Sequence, residues 1–134
     1  MHELTVPTTQ REQWINVTPQ IEALIKKSGV TQGVCRLWVP HTTAGITIQE
    51  NADPDVVSDC LMALDRMVPA NQAFRHSEGN STAHMKSVLT GVSCSIPIQD
   101  GQLTFGTWQC VYFCEYDGPR RRRLLVHLAP QAGV

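Results

Sequence analysis

The chain lacks an excess of charge of either sign, and it lacks a long apolar segment. Its 134 residues carry 11 Lys and Arg against 12 Asp and Glu, a formal net charge of −1 at pH 7. It therefore has no overall positive field to attract nucleic acid or an anionic membrane. No segment approaches the roughly 20 apolar residues of a membrane-spanning helix, and residues 1–13 do not resemble a secretory signal. We expect a cytoplasmic protein without nucleic-acid or membrane partners.

The chain lacks a CxxC pair, the close cysteine spacing that is typical of redox and metal-binding motifs. The five cysteines are Cys35, Cys60, Cys94, Cys110 and Cys114. An odd number without tight pairs fits a reducing compartment better than a disulfide framework, and we expect buried, apolar fillers. Hydrophobic residues make up 42% of the chain and charged residues 17%. This balance and length predict one folded domain over residues 1–134.

Helical spacing of apolar residues marks three short segments, each bounded by capping or stop residues. The segments run from Thr18-Pro19 to Ser28-Gly29, from Asp53-Pro54 to Pro69, and from Asn80-Ser81 to Gly91. Thr18 and Asp53 are the predicted caps of the first two. In the third helix, Met85, Val88 and Leu89 form the apolar side. We expect that side to face the core.

Extended segments outnumber the helices by about two to one. They are Leu4 to Val6, Trp14 to Val17, Gly33 to Val39, Gly45 to Gln49, Val92 to Ile98, Thr107 to Tyr116, and Arg121 to Leu128. Both faces of the segment from Thr107 are largely apolar, which indicates a sandwich or a subunit interface. Trp38, Tyr112 and Phe113 are predicted core residues. Glycine turns at Gly101 and Gly118 favour antiparallel hairpins, so the predicted class is α+β, with antiparallel or mixed, sandwich-like sheets.

The segment from His41 to Gly45, with sequence HTTAG, follows one predicted strand and begins the next. Small residues would let the backbone approach a ligand, and His41 could offer a lone pair to a metal or a proton to an anion. A turn histidine satisfied by its own loop is the alternative. Both interpretations stay open at this point.

Three carboxylates and an amide surround the start of the second helix. Asp53 has a structural role as the N-cap, and Asp55 suits the first turn because the helix dipole favours negative charge there. Glu50 and Asn51 precede the cap, where no helix requirement accounts for them. We therefore regard these two as the better site candidates.

The densest polar group runs from Arg75 to His84, with sequence RHSEGNSTAH. The predicted helix start exposes unpaired N–H groups, so Gly79, Asn80 and Ser81 could hold a phosphate, with Arg75 adding positive charge.

A bend at Gly79 is needed to bring His76 and His84 together, because they are not one helical turn apart. If His41 joined them, three imidazoles could bind a catalytic zinc ion with an open position, and Glu78 could act as general base. A site that works by hydrogen bonds alone is the alternative.

Four consecutive arginines, Arg120 to Arg123, begin the last predicted strand. Side chains alternate across a strand, so at most two of the four face the same way. We expect some of them to form a solvated edge, and one, with Arg120 the candidate, to face a phosphate.

Three long motifs occur in order along the chain: HTTAGITIQENADPDV, RHSEGNSTAHMKSVLTG and IPIQDGQLTFGTWQCVYFCEYDGPRRR. Together they resemble the YjbQ-like family, sometimes described as secondary thiamine-phosphate synthases. The resemblance implies an α+β subunit that forms a homotrimer with sites near subunit interfaces. It also implies a site drawn from His41, Asn51, Asp53, His76, Glu78 to Ser81, His84, and Gly106 to Gln109, with Gln109 lining the site. Cys110 departs from the small residue expected there.

The family activity would join a pyrimidine-methyl diphosphate to a thiazole phosphate, normally with magnesium. The predicted catalytic residues are His84, Glu78 and His76, with His84 protonating the leaving group and Glu50 or Asp53 holding magnesium through water. The predicted phosphate-binding residues are Arg75, Gly79, Asn80, Ser81, Asn51, Gln109 and Arg120. A zinc hydrolase using His41, His76 and His84 is one alternative. A non-catalytic trimer that binds a phosphorylated metabolite is another.

Overall fold

Two antiparallel sheets face each other across the main core in the computed structural model, which describes residues 1–133. The described elements are β1 (His2–Pro7), β2 (Gln13–Asn16), α1 (Thr18–Ser28), β3 (Gly33–Trp38), β4 (Ala44–Glu50), α2 (Pro54–Met67), α3 (Ser81–Thr90), β5 (Ser93–Gln99), β6 (Gln102–Leu103), β7 (Gln109–Glu115) and β8 (Arg121–Pro130). Sheet A has the strand order β1-β8-β3-β5-β6, and sheet B has the order β2-β7-β4. Every strand pairing is antiparallel. The predicted α+β class is confirmed.

The main core lies between the two sheets and is closed at one side by α1, which contributes Ile21 and Ile25. Strand β7 has both faces buried within this one subunit. Val111 and Phe113 face the main core, whereas Cys110, Tyr112, Cys114 and Tyr116 belong to a second apolar cluster with Val57, Leu61 and Leu64 of α2. The two apolar faces predicted for this strand are therefore a sandwich core and a helix-covered layer.

Two apolar features were predicted to be buried and are not. Trp38 is 53% exposed, because its neighbour Leu37 takes the inward position of β3, opposite Val126. In α3, Val88 and Leu89 are 75% and 51% exposed, and Met85 is also exposed.

The buried face of α3 is polar instead, and its residues are Ser81, Ala83, Lys86 and Ser87. Lys86 is 1% exposed, and its ammonium donates hydrogen bonds to Glu12 (2.6 Å) and Asp65. Pairing with two carboxylates offsets the cost of burying the charge. The helix therefore turns its apolar stripe outward.

The helix caps agree only in part with those predicted from the sequence. Asp53 caps α2, where its side chain accepts a hydrogen bond from Asp55 N at 2.9 Å. Thr18 is not a cap, because Val17 holds that position and the Thr18 hydroxyl accepts from Val111 N at 2.8 Å. Gly29 ends α1 with a φ of +76°, the left-handed conformation that glycine adopts without strain.

All five cysteines are free thiols, and three of them, Cys35, Cys110 and Cys114, are buried. Burial raises the pKa of the Cys35 thiol to about 12, so it is protonated and unreactive at neutral pH. Within residues 1–133, no helix is both long and apolar enough to cross a membrane.

Candidate functional site

Three segments that are far apart in the sequence meet around one cavity of about 430 Å³. They are the loop between β3 and β4, the segment that begins α3, and the turn between β7 and β8. The lining residues are Pro40, His41, Thr42, Thr43, His76, Glu78, Asn80, His84, Asp117, Arg120 and Arg122. All three predicted histidines and Glu78 therefore lie around the same space, which we call the polar cavity.

The position of α3 against β4 brings the first two segments together. Ser87 Oγ donates to the carbonyl of Ala44 at 2.6 Å, and Ile46 N donates to the carbonyl of Gly91 at 3.0 Å. A Cβ atom on Gly45 would lie 2.3 Å from Thr90 Oγ1, which leaves no room for a side chain. The glycine of the HTTAG loop thus allows close approach of a helix, whereas the sequence suggested close approach of a ligand.

A buried ion pair between Arg122 and Glu115 lies beneath the polar cavity. Their side chains are 5% and 0% exposed. Arg122 Nε donates to Glu115 Oε1 at 2.8 Å, and Arg122 Nη2 donates to Glu115 Oε2 and to the hydroxyl of Thr43. Arg122 Nη1 has no hydrogen-bond acceptor among residues 1–133. Because Arg122 lines the cavity, Nη1 is the part of the guanidinium left for a ligand.

Glu115 is held in its ionised form by its partners. Burial alone raises the pKa of this carboxyl, but hydrogen bonds from Arg122, Thr8 and the amide of Asp117 outweigh burial, and the pKa is lowered overall. The Glu115 carboxylate thereby bonds both to strand β8, through Arg122, and to the β7–β8 turn, through Asp117 N. Arg122 consequently has little freedom to move.

His41 is neutral at pH 7 in this arrangement. Burial lowers the pKa of its imidazole, and the charges of Arg122 and Arg123 lower it further. Its Nε2 accepts a hydrogen bond from Arg123 N at 2.9 Å, so the ring proton is on Nδ1. His41 can therefore donate a hydrogen bond through Nδ1, whereas its one lone pair is already used.

His84 has the same Nδ1–H tautomer. Its Nδ1 lies 3.1 Å from the carbonyl of Thr42, an acceptor, so Nδ1 carries a proton and Nε2 is left to exchange one. The His76 and His84 rings meet edge to face with centroids 5.2 Å apart, and His76 Nε2 lies 3.8 Å from Glu78 Oε2. This group suits acid–base work, with Nε2 of His84 as the reactive atom.

The N-terminus of α3 has no side-chain cap. Asn80 is the N-cap residue but makes no side-chain bond to the first turn, and its Oδ1 has no partner among the described residues. Its Nδ2 instead donates to Asp117 at 3.0 Å, and Arg120 donates to the same carboxylate at 2.9 Å. Arg120, the arginine predicted to face a phosphate, lines the polar cavity beside Asp117, and its role toward a phosphate stays a prediction.

Several predicted site residues lie elsewhere. Arg75 does not line the polar cavity, and Gly79 and Ser81 line a neighbouring one of about 510 Å³ together with His76 and Lys86. Asn51, Asp53 and Gln109 lie at the other end of sheet B. There Glu50 pairs with Gln109, whereas Ala44 pairs with Glu115 at the cavity end. Six residue steps separate the two ends of β4, or about 20 Å.

Thr43, Asp117 and Arg122 line the polar cavity and Glu115 lies beneath it, but none of these four residues was individually predicted as a site residue. Strand alternation contains a signal for two of them. Arg122 shares its face of β8 with the buried Leu124 and Val126, and Glu115 is also buried at the end of β7. On each of these two strands, a charged residue occupies the face that the buried apolar residues occupy. This pattern indicates a buried ion pair.

The three histidines do not form a metal site as they stand. Within residues 1–133, no group of three or more His, Cys, Asp or Glu side chains is placed to hold a metal ion. His41 would have to release its hydrogen bond from Arg123 N before it could ligate. The three-histidine donor set therefore does not fit zinc in this geometry.

The family model described as "UPF0047 protein YjbQ-like" matches residues 2–131. The chain belongs to this family. It is 46% identical to UPF0047 protein YugU of Bacillus subtilis, over 93% of this chain and 96% of that protein. It is 49% identical to UPF0047 protein MJ1081 of Methanocaldococcus jannaschii, over 92% of this chain and 89% of that protein.

Solved structures of the family share the fold described above. A YjbQ/UPF0047 family protein from Clostridium acetobutylicum superposes with a TM-score of 0.93 at 45% identity, covering 96% of this chain and 99% of that one. The conserved hypothetical protein TT1486 from Thermus thermophilus gives a TM-score of 0.89 at 43% identity, covering 96% and 99%. The names of these four proteins state no reaction.

Proposed function

We propose that the polar cavity binds the phosphate of a phosphorylated small molecule and that the protein catalyses a transfer reaction of the thiamine-phosphate synthase type. The observation that carries this proposal is Arg122, a buried arginine whose Nη1 is left for a ligand after Glu115 and Thr43 have taken its other donors. Rigid donors of this kind bind phosphate oxygens with little loss of entropy.

The unpaired hydrogen-bond donors of the polar cavity, more than its net charge, would select the ligand. Each cavity arginine is already paired with a carboxylate, Arg122 with Glu115 and Arg120 with Asp117. The remaining donors include Nη1 of Arg122, Nη1 of Arg120 and the ring N–H of neutral His41. Such a site favours an acceptor with several oxygens around one centre, which describes a phosphate.

His84 would serve as the general acid. In the proposed transfer, the thiazole nitrogen attacks the pyrimidine methylene carbon, a C–N bond forms, and the C–O bond to diphosphate breaks. The electron pair leaves with the diphosphate, and His84 in its imidazolium form donates the Nε2 proton to it while Nδ1–H stays bonded to the Thr42 carbonyl. Glu78 is the cavity carboxylate without an arginine partner, and it would hold a magnesium ion that enters with the diphosphate. Glu50 and Asp53 lie too far away for this role within one subunit.

Product formation tests the proposal directly. We expect purified protein, supplied with both substrates and magnesium, to form thiamine phosphate, and His84→Gln to be about 100-fold slower because the proton donor is lost. The matched control is His127→Gln, since His127 is on β8 and lines the outer face of sheet A. It should retain full activity.

Absence of product above the His84→Gln background would overturn the transferase proposal. If inorganic phosphate still bound in the cavity under those conditions, the protein would be a binding protein for phosphorylated metabolites. Loss of phosphate binding in Arg122→Lys, compared with Arg123→Lys at an exposed position, would support that alternative because both variants keep the charge.

A zinc hydrolase is supported by one observation, the presence of three imidazoles and Glu78 around the same cavity. It requires His41 to exchange its hydrogen bond from Arg123 N for a bond to the metal. Elemental analysis of untagged protein decides this alternative, since protein without stoichiometric zinc would remove it.

The homotrimer implied by the family is also a proposal. Its support is the pair Met85 and Leu89 on α3, which are 42% and 51% exposed and line neither the polar cavity nor the neighbouring groove beside Trp38. Apolar residues grouped on one exposed helix face are typical of protein interfaces. Sedimentation equilibrium should give the mass of three chains, and a monomer mass would contradict it.

A further inference from the structure

A second cavity of about 590 Å³ adjoins the polar cavity. The two share four lining residues, Pro40, His41, Thr42 and His84. The second cavity lies between residues 38–42 and α3, and we call it the Trp38 groove. Its remaining lining residues are Trp38, Val39, Ser87, Val88, Gly91 and Val92.

The lining of the Trp38 groove is apolar wherever it leaves the polar cavity. Trp38 and Val88 are 53% and 75% exposed, so each presents bare apolar surface to the groove. The only hydroxyl beyond the shared residues is that of Ser87, and it donates to the Ala44 carbonyl at 2.6 Å. The groove therefore offers mainly apolar contact area, with the indole N–H of Trp38 as a side-chain hydrogen-bond donor.

One face of α3 connects the two spaces. His84 and Val88 are four residues apart, so they lie on the same side of the helix with about one turn, roughly 5.4 Å, between them. A phosphate held beside His84 would therefore leave an attached group of a few atoms in contact with Val88. On the opposite wall, the same group would meet the indole of Trp38.

We propose that the Trp38 groove binds a flat aromatic ring joined directly or by one carbon to the phosphate held in the polar cavity. The ring would lie between Trp38 and Val88, where stacking on the indole and burial of apolar surface both stabilise it. This inference rests on the proposed binding of phosphate and adds the place where the ring of the phosphorylated ligand binds. The occupant is one small molecule that spans both cavities.

The test compares two phosphate monoesters of equal charge, methyl phosphate and phenyl phosphate, by isothermal titration calorimetry. Phenyl phosphate should bind about tenfold more tightly, because only its ring reaches the groove. Trp38→Ala should reduce this ratio to about twofold. Trp108→Ala is the matched control, since Trp108 is 60% exposed and does not line either cavity, and it should leave the ratio unchanged.

Val88→Thr provides a second test on the opposite wall, because threonine keeps the shape and adds a hydroxyl. It should lower the affinity for phenyl phosphate about threefold without affecting methyl phosphate.

Equal affinities for the two esters in the unaltered protein, or an unchanged ratio in Trp38→Ala, would overturn the proposal. It would also be overturned if Trp38→Ala changed the number of subunits and left the ratio alone, because a second copy would then occupy the groove. Failure of both esters to bind would instead overturn the proposed phosphate site.

Discussion

The two ends of sheet B both carry polar side chains, but they differ in what those side chains do. At the Glu115 end, a buried ion pair, two histidines that both carry a proton on Nδ1, and a carboxylate shared by Asn80 and Arg120 surround a cavity. At the Gln109 end, polar groups are used locally. Gln109 accepts from Gly106 N at 2.8 Å, and Asp53 caps α2.

This difference separates two reasons for a cluster of polar residues in a sequence. Local capping and turn formation need only neighbours along the chain, as Asp53 and Gln109 show. A ligand site needs donors that the fold holds in place without satisfying them. Arg122 Nη1 meets that condition because long-range contacts to Glu115 and Thr43 fix the rest of the side chain. The cavity end is thus the better candidate for chemistry.

Removing Glu115 should have the largest effect on this comparison. Glu115→Ala leaves the charge of Arg122 buried without a partner, and we expect the free energy of unfolding to fall by about 3–5 kcal/mol. Urea denaturation monitored by circular dichroism measures it. Glu3→Ala is the matched control, because Glu3 pairs with Arg123 where both side chains are about half exposed. That exposed pair should contribute less than about 1 kcal/mol.

Acid titration sharpens the same prediction. The folded-state pKa of Glu115 is lowered from its ordinary value of 4.5, so its contribution to stability is present above that pH and is lost as the pH falls through the folded-state pKa. Glu115→Ala should therefore be less sensitive to acid than the unaltered protein between pH 4.5 and lower values. Equal losses in Glu115→Ala and Glu3→Ala would show that the buried pair has no special role.

A smaller effect is expected at the other end of the sheet. Asp53→Ala removes the N-cap of α2 and should destabilise the protein by about 1 kcal/mol. Asp59→Ala, within the same helix, should change stability by less than about 0.5 kcal/mol. Both are measured by urea denaturation, with phosphate affinity recorded in parallel. If Asp53→Ala abolished phosphate binding while stability held, the assignment of this end to local structure would be wrong.

Much of the fold could be predicted because each element has its own local signals. Asp53-Pro54 marks the start of α2, and alternation along β7 places Val111 and Phe113 opposite Tyr112. The orientation of α3 could not be predicted from its apolar residues. Lys86 faces inward only because Glu12 and Asp65, which are distant in sequence, supply its partners.

The part of the chain that holds the candidate site could be predicted from the sequence, but only some of the residues around the cavity could be. His41, His76, Glu78 and His84 are unusual enough in their local context to be singled out, and the fold places all four around one cavity. Arg122 was hidden among four arginines, because a choice among them needs the register of β8 against the core. The tautomers of His41 and His84 depend on Arg123 N and the Thr42 carbonyl, which only the folded chain brings near.

The smallest expected effect tests the comparison most directly. Asn51→Ala and Gln109→Ala should each change the affinity for inorganic phosphate by less than about twofold, whereas Arg122→Lys should lower it about tenfold, because lysine cannot reproduce the fixed geometry of the guanidinium. Calorimetric titration measures all three, and circular dichroism verifies that each variant is folded. A tenfold loss in Gln109→Ala would contradict the separation of the two ends. Since about 20 Å of β4 lies between them in one subunit, such a loss would require that another copy of the chain place its Gln109 end beside the cavity.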